Sequence, residues 1–474
     1  MTPRLGTAML LVAVVGTLAA GLGLGVRGSA DGYAAVDEPQ YLLTALSLYE
    51  DGSLDIADEL AERRWVEFHT PGELPVQTEI LDDGRQVSPH DPLLPLLLAL
   101  PMGLGGVVAA KLTLAFLAGA VAASTLWIAV RRLDVAPTVA ISGVALAAVS
   151  APLAVYGQQV YPEIPAALAV LAAVAALTGP LRRRGIALLV VAVVALPWLS
   201  VKYVPVAVAL ALLGVVLLVR RRTIRYAGAL VGALALAGAA YLMLHRISYG
   251  GWTVYAAGDH FQGSGEFGVI GFDPNYPGRS IRIMGLLIDR DFGLASWQPA
   301  WLLLVPAAAM MLVRRRPQWT VLLGTLAVGW FTATYIALTM HGFWWPGRQL
   351  VVVLPVAVLV ILCWAAELSN RIRLVIAAVA AYGGLIYAVV LWRGWAGDAT
   401  WVQAPDRIGL HSPLAWLFPD DRVLAGTDVV LYALWSAAAV LVVVSCGYDV
   451  MMHRHGRTNA DRHAPTEAVS RTQR

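Results

Sequence analysis

Twelve long apolar segments dominate this sequence and leave few folds open to it. Most have about the length that an α-helix needs to cross a bilayer, roughly 20 residues. Of the 474 residues, 58% are hydrophobic and only 14% are charged, whereas soluble domains average about 45–50% and about 25%. These values exclude a soluble enzyme, a nucleic-acid binder and a disordered scaffold. β-barrel strands are shorter and alternate in polarity, so the segments predict membrane-spanning helices.

We therefore predict an all-α polytopic membrane protein with a bundle of about 12–13 transmembrane helices. The segment from Pro92 to Gly106 carries three prolines and several glycines, so we expect it to lie in the interface or to re-enter the membrane. The predicted spans are 5–26, 111–130, 137–155, 164–180, 186–201, 203–219, 226–244, 298–313, 318–339, 349–366, 374–392 and 426–448.

Arginine clusters predict how these spans are oriented. They flank the apolar segments at 131–132, 182–184, 220–225, 314–316 and 371–373. Cytoplasmic loops are rich in Lys and Arg, so this pattern predicts cytoplasmic amino and carboxyl termini in the plasma (inner) membrane. The predicted organisation is a first helix at 1–26, an extracytoplasmic loop at 27–110, a transmembrane core at 111–244, a loop at 245–297, helices at 298–392, a loop at 393–425, a last helix at 426–448 and a disordered cytoplasmic tail at 449–474.

The first extracytoplasmic loop carries nearly half of the chain's 31 acidic residues. Asp37 and Glu38 stand next to each other, shortly before Tyr41. Two neighbouring carboxylates could divide the work of deprotonating a hydroxyl and of binding a divalent metal. They could equally cap a helix that begins at Pro39, where carboxylates meet the positive end of the helix dipole. The residues alone leave both interpretations open.

Two further charged residues lie at predicted outer turns. Glu163 follows Tyr161 and Pro162 between two uncharged spans, where an ionisable group is costly unless it is paired or solvated. It is either functional or a helix cap. Lys202 is a lone cation on the outer side and could bind the phosphate of a lipid substrate. Contact with ordinary phospholipid headgroups is an equally good explanation for this lysine.

The outer link before the 349–366 span contains Trp345 and then Arg348. Paired tryptophans are typical membrane-interface anchors. An arginine after a Pro-Gly turn suits a phosphate, because guanidinium binds phosphate through two parallel hydrogen bonds. The letters at 263–268 match G-x-G-x-x-G, but they lie in a loop without a preceding strand, so we do not expect a dinucleotide site.

These motifs resemble those of membrane glycosyltransferases of the GT-C fold. That superfamily includes protein O-mannosyltransferases, the aminoarabinose transferase of lipid A and actinobacterial cell-wall transferases. The resemblance rests on an ordered set of motifs between residues 30 and 350. They are Asp37-Glu38 with Tyr41, Asp83-Gly84-Arg85, Tyr161-Pro162-Glu163, Asp289-Arg290-Asp291-Phe292-Gly293-Leu294 and Trp345-Pro346-Gly347-Arg348.

The resemblance implies an inverting transferase that uses a polyprenyl-phosphate-linked sugar at the extracytoplasmic face. Its acceptor would be a glycan, lipid or protein, and no nucleic acid would be involved. By the same resemblance, Asp37 is the general base beside Glu38, and a divalent metal (Mg or Mn) at Glu38 and Glu163 is left open. The remaining expected roles are donor-phosphate binding by Lys202 and Arg348, and contacts with donor or acceptor by Tyr41, Tyr161, Glu163, Arg290 and Trp345.

The sequence departs from this family pattern in the first loop, which contains no D-x-D. No large carbohydrate-binding segment follows later in the chain, which favours transfer of a single sugar over polymerisation. The competing class is a transporter or flippase, which predicts charges deep inside its helices. A membrane scaffold without catalytic activity is the third class, and it explains the acidic loop poorly.

Overall fold

The computed structural model describes residues 3–30, 32–69, 73–75, 77–258, 275–402 and 415–462. Within these ranges the protein is helical and has no β-strand, only isolated bridges in the first loop and at its borders. The predicted all-α class is therefore confirmed. The motif at 263–268 lies outside the described residues.

Ten α-helices occupy the first half of the chain. They are α1 (Pro3–Gly21), α2 (Glu38–Glu50), α3 (Ala57–Ala61), α4 (Leu93–Arg132), α5 (Pro137–Ala148), α6 (Leu153–Tyr156), α7 (Glu163–Leu177), α8 (Arg183–Leu199), α9 (Val204–Arg220) and α10 (Ile224–Ser248). Eight follow in the described part of the second half. They are α11 (Tyr276–Arg279), α12 (Arg282–Ile288), α13 (Leu294–Trp297), α14 (Leu304–Arg314), α15 (Trp319–Phe331), α16 (Leu354–Ala365), α17 (Asn370–Ala396) and α18 (Thr427–Arg462).

In the described chain, 7 helical segments are long and apolar enough to cross a membrane. They are Arg4–Gly25, Leu93–Arg132, Val201–Arg220, Ile224–Ser248, Trp319–Ile336, Asn370–Ala396 and Thr427–Tyr448. Shorter apolar helices lie at Pro137–Ala148, Glu163–Leu177, Pro299–Arg314 and Leu354–Ala365. These findings support a helical membrane protein, while the count of about 12–13 spans stays a prediction.

The proline-rich segment predicted to be interfacial forms the first limb of α4. The helix is broken at Gly105 and Gly106, where Gly106 takes φ 61° and ψ −158°. This backbone conformation is closed to residues with a side chain, so glycine is required at the break. The first limb contacts α2 where Gly103 lies against Tyr49, the second limb contacts α1 where Gly119 lies against Ala13, and α4 also packs against α7. The break thus separates the predicted interfacial segment from the predicted span at 111–130.

The helix ends divide the charged residues into two groups. The arginine clusters lie at the carboxyl ends of α4, α9 and α14, and where α7 leads into α8 and α16 leads into α17. The opposite ends of several of these helices carry the acidic motifs and Lys202. Because consecutive spans alternate in direction, one end of the bundle collects arginine clusters and the other collects the candidate site residues.

The last helix differs from the predicted organisation. We predicted a span that ends at residue 448 and a disordered tail from 449, but α18 continues to Arg462. A helix satisfies its own backbone hydrogen bonds, so it needs no apolar surface in order to continue into a polar sequence. Residues 463–474 of the predicted tail lie outside the described residues.

Candidate functional site

Four charged side chains from distant parts of the chain meet at one end of the bundle. Arg348 donates from Nη2 to Asp37 Oδ2 at 3.1 Å and from Nε to Glu163 Oε1 at 3.0 Å. Lys202 Nζ donates to the same Glu163 oxygen at 2.8 Å. We call Asp37, Glu163, Lys202 and Arg348 the charge network. Its two carboxylates and two cations balance one another.

Local sequence positions each member of this network. Glu163 is the first residue of α7, directly after Pro162, which suits a helix start. Lys202 lies in a 3₁₀ turn that links α8 to α9. Arg348 follows Gly347, whose φ of 83° is the left-handed conformation that favours glycine. A side chain at Gly347 would also contact Leu294 at 2.7 Å.

Aromatic packing fixes the guanidinium of Arg348. Its central carbon lies 3.8 Å from the centre of the Tyr161 ring, a cation–π contact. The hydroxyl of Tyr161 donates to the carbonyl of Ala35, two residues before Asp37. Tyr161 therefore connects the orientation of Arg348 to the backbone that presents Asp37.

Burial separates the network into a closed part and an open part. The side chains of Glu163 and Arg348 are only 1% and 7% exposed, whereas those of Asp37 and Lys202 are 17% and 22% exposed. A molecule that approaches this end of the bundle would therefore meet Asp37 and Lys202 first. The geometry supplies an accessible carboxylate and an accessible ammonium, joined by a buried arginine and glutamate.

Asp37 does not act as the helix cap that the sequence left open. It occupies the residue before α2, but its side chain accepts no capping hydrogen bond from that helix. The carboxylate instead contacts Arg348 and accepts from Gln77 Nε2 at 3.2 Å. Asp37 thus faces the network rather than its own helix.

Tyr41 lines the same region one turn into α2. Its ring stacks on His90 at 4.4 Å between centroids and is buried. Burial, reinforced by the charges of Asp37 and Glu163, raises the pKa of Tyr41 well above its usual value. The tyrosine therefore keeps its hydroxyl proton and can donate a hydrogen bond. Its expected contact with donor or acceptor stays a prediction.

Glu38 points away from the network and is fully buried. Its Oε2 accepts from the backbone N–H of Ala35 at 3.0 Å, and its Oε1 accepts from that of Val160 at 2.7 Å. Lys111 Nζ lies 3.4 Å from Oε1. These contacts tie the loop before α2 to α4 and to the loop before α7. These are the contacts of a positioning residue, and the catalytic role expected for Glu38 beside Asp37 stays a prediction.

The metal site that the sequence left open at Glu38 and Glu163 does not fit this geometry. Both oxygens of Glu38 accept hydrogen bonds from backbone N–H groups, and Lys111 lies against one of them. Glu163 already pairs with two cations. In the described part of the chain, neither residue belongs to a group of side chains with metal-binding spacing. We therefore assign no metal-dependent step to these residues.

A second buried polar group, which the sequence reasoning missed, lies against the turn that carries Lys202. Asp91 Oδ2 accepts from the N–H of Val201 at 2.7 Å. Its Oδ1 accepts from the Tyr241 hydroxyl at 2.8 Å, and His245 Nε2 lies 3.1 Å away. Asp91 therefore joins the start of α4 to the end of α10. The sequence signal for this group was weak: Asp91 stands directly before one apolar segment, and His245 stands at the end of another.

Two predicted contact residues lie in other surroundings. Arg290 donates to Asp428 at 2.7 Å and to the carbonyl of Phe418, so its side chain bridges to the start of α18. Trp345 is 1% exposed and packs against Trp297 and Trp401. Trp345 is therefore part of the buried core, and Arg290 belongs to the contacts around the start of α18.

No protein family, curated protein or solved structure matches this chain.

Proposed function

We propose that this protein is an integral membrane glycosyltransferase. It would move one sugar from a polyprenyl-phosphate donor to a hydroxyl of a glycan, lipid or protein at the extracytoplasmic face. The observation that carries the proposal is the charge network, in which an accessible carboxylate and an accessible ammonium flank the buried Arg348. Such a site can hold a phosphate beside a base, and it lies at the helix ends opposite the arginine clusters.

In this proposal Asp37 is the general base. Its carboxylate takes the proton of the acceptor hydroxyl while the hydroxyl oxygen attacks the anomeric carbon of the donor. The bond between that carbon and the phosphate oxygen breaks, and its electron pair leaves with the phosphate. The products are an inverted glycoside, polyprenyl phosphate and a protonated Asp37, which later returns its proton to water.

Lys202 and Arg348 serve the leaving group. Each has hydrogen-bond donors beyond those used for Glu163 and Asp37, because an ammonium carries three N–H groups and a guanidinium carries five. Preorganised cations stabilise negative charge as it develops on the phosphate. Glu163 would keep both cations in place before the donor arrives, and Tyr161 would keep the guanidinium plane fixed.

A transporter or flippase is the alternative, and it predicts charged groups deep within the spans. The buried Lys111 is the relevant residue, since it lies inside the helical segment Leu93–Arg132. Its ammonium donates to the carbonyl of Tyr33 at 2.6 Å, in the loop before α2. Lys111 thus lies within a few residues of the break at Gly106, at the same end of the bundle as the network. This placement favours the transferase.

Binding of a polyprenyl monophosphate to the purified protein in nanodiscs tests the proposal. We expect saturable binding by the wild type and binding weakened about tenfold or more in Lys202→Met, since a charged hydrogen bond is worth about 1.5–3 kcal/mol. Arg27→Gln is the matched control, because Arg27 is an exposed cation in the first loop and should leave affinity unchanged.

The same preparation then receives polyprenyl-phosphate donors with different radiolabelled sugars. Transfer of label to an acceptor supports the transferase. A well-folded wild type that binds no polyprenyl monophosphate would remove the basis for this donor class. The transporter would instead be established if the protein, reconstituted in liposomes of the same lipid composition, moved a lipid-linked substrate across the bilayer without cleaving it.

A further inference from the structure

A second acidic group lies at the opposite end of α2 from the charge network. Asp51 directly follows α2, and Asp58 and Glu59 lie in the first turn of α3. One carboxylate oxygen from each of the three lies within 4.8 Å of the others. We call Asp51, Asp58 and Glu59 the acidic cluster.

Glu59 is the residue that makes this cluster more than a charged surface. It is only 2% exposed, and neither of its carboxylate oxygens has a hydrogen-bond donor. Its carboxyl group lies within hydrogen-bond reach of that of Asp58. Two carboxylates in contact, one of them buried, repel each other unless a proton or a cation lies between them.

Among the described residues, Arg64 is a basic residue whose charge acts on Asp58. Its guanidinium nevertheless forms its two hydrogen bonds with Glu50, at 3.0 and 2.9 Å, and not with the cluster. A further contact of Arg64 goes to Glu62 at 3.8 Å. Asp51 adds to the imbalance, because a carboxylate at the carboxyl end of a helix faces the negative end of the helix dipole.

We propose that Asp51, Asp58 and Glu59 bind a calcium ion. The cluster offers only oxygen ligands, which hard divalent cations prefer. Calcium holds its oxygens at about 2.3–2.6 Å, so opposite ligands lie up to about 5 Å apart, and the carboxylate oxygens already lie within 4.8 Å of one another. Magnesium demands shorter bonds of about 2.0–2.1 Å in near-ideal octahedral geometry, so the more adaptable calcium is the cation that we expect here.

The surroundings of the cluster also suit calcium. Asp51 and Asp58 are exposed, so water can enter and complete a coordination shell of six to eight oxygens. Glu59 is buried against Asp58, so two acidic groups lie in contact without a cation between them. A bound ion would supply the positive charge and would join the end of α2 to α3.

Calcium titration of the full-length protein tests this proposal. The protein is purified in detergent, stripped with EDTA and titrated with CaCl₂ by calorimetry at pH 7.5, with MgCl₂ in a parallel titration. We expect one saturable calcium site with a higher midpoint of thermal unfolding, and weaker binding of magnesium. Glu59→Gln should lower calcium affinity more than about tenfold, since it removes a ligand charge from the site.

Glu79→Gln is the control, because Glu79 is an exposed acid of the same loop outside the cluster. It should bind calcium like the wild type. In EDTA, Glu59→Gln should unfold at or above the wild-type midpoint, because an amide is cheaper to bury than a carboxylate. If Glu59→Gln fails to fold, Asp58→Asn replaces it, since Asp58 is exposed.

Two results would overturn the proposal. One is a wild type with no saturable calcium binding, in which case Asp58 and Glu59 share a proton. The other is calcium binding that is equally tight in the wild type and in Glu59→Gln, because the ion would then lie elsewhere. Neither result bears on the charge network, so the glycosyltransferase proposal is tested separately.

Discussion

Arg348 donates a hydrogen bond to Asp37 at 3.1 Å across 311 residues of sequence. The same guanidinium binds Glu163, so one side chain connects the loop before α2, the start of α7 and the loop before α16. A phosphate that binds at Lys202 and Arg348 would compete with both carboxylates for these cations. Donor binding would thereby free Asp37 to accept a proton when the acceptor arrives, which couples the two substrates.

Asp37→Asn should abolish transfer while the protein still folds. The amide cannot take a proton, and removal of a general base costs about 10²–10⁴-fold in rate. Stability should change little, because Asp37 is partly exposed and Arg348 keeps its bond to Glu163. Transfer of labelled sugar and the midpoint of thermal unfolding are measured together. Asp82→Asn, an exposed acid of the same loop, is the control. Normal turnover in Asp37→Asn would contradict its assignment as the base.

Lys202→Met should raise KM for the donor and also lower kcat, because the ammonium both binds the phosphate and stabilises the charge that develops on it. The Lys202 side chain is 22% exposed and Glu163 retains its bond to Arg348, so the site should stay assembled. Steady-state kinetics with varied donor concentration separate the two parameters. Lys202→Arg keeps the charge and should lose less affinity than Lys202→Met. An equal loss in both variants would mean that this position is important for shape and not for charge.

Glu38 and Lys111 should be coupled in stability. Glu38→Gln or Lys111→Met alone leaves an unpaired charge in a buried site, which costs about 3–5 kcal/mol. The double variant removes both charges and should be more stable than the sum of the two single losses predicts. Thermal or denaturant unfolding in detergent measures the four proteins. Strictly additive losses would show that the ion pair contributes nothing of its own.

Asp421 should make stability depend on pH. Burial, with the nearby charges of Asp289, Asp420 and Asp428, raises the pKa of Asp421 to about 8. The folded protein therefore binds a proton that the unfolded chain has already lost above its ordinary pKa near 3.8. Stability from this group is present at low pH and is lost as pH rises towards 8.

Asp421→Asn removes that titration. Relative to the wild type, its unfolding midpoint should rise steadily between about pH 4 and pH 8 and then stay level. Scans across this range compare the two proteins in the same buffer. A constant difference at every pH would show that Asp421 does not titrate in this window.

The residues of the charge network could be identified one by one from the sequence. Asp37, Glu163, Lys202 and Arg348 stood out because charges are costly beside apolar spans. Their partners were not visible. The sequence assigned Lys202 and Arg348 to a phosphate, whereas the structure shows both already bound to Glu163. Glu38 was paired with Asp37 by adjacency, but α2 begins between them and turns the two side chains to opposite surroundings.

Other parts of the site left almost no signal. Asp91 and His245 are 154 residues apart and lie at the borders of unrelated apolar segments. Lys111 lies in an apolar segment, and nothing in the sequence shows that it is the buried partner of Glu38. Trp345 resembled an interface anchor, and it proves to be part of the core. Each of these outcomes depends on which helices pack against each other in the tertiary structure.

The sequence by itself determined that the chain forms apolar helices. It also determined which ends of these helices carry the arginine clusters. The physical reason is local, because a span in lipid must satisfy its backbone hydrogen bonds within its own helix. Only the tertiary structure decided that Arg348 lies between Asp37 and Glu163, and that Glu59 is buried against Asp58. Those contacts depend on how the packed helices are rotated and offset relative to one another. Rotation and offset are determined jointly by side chains that are far apart in the sequence.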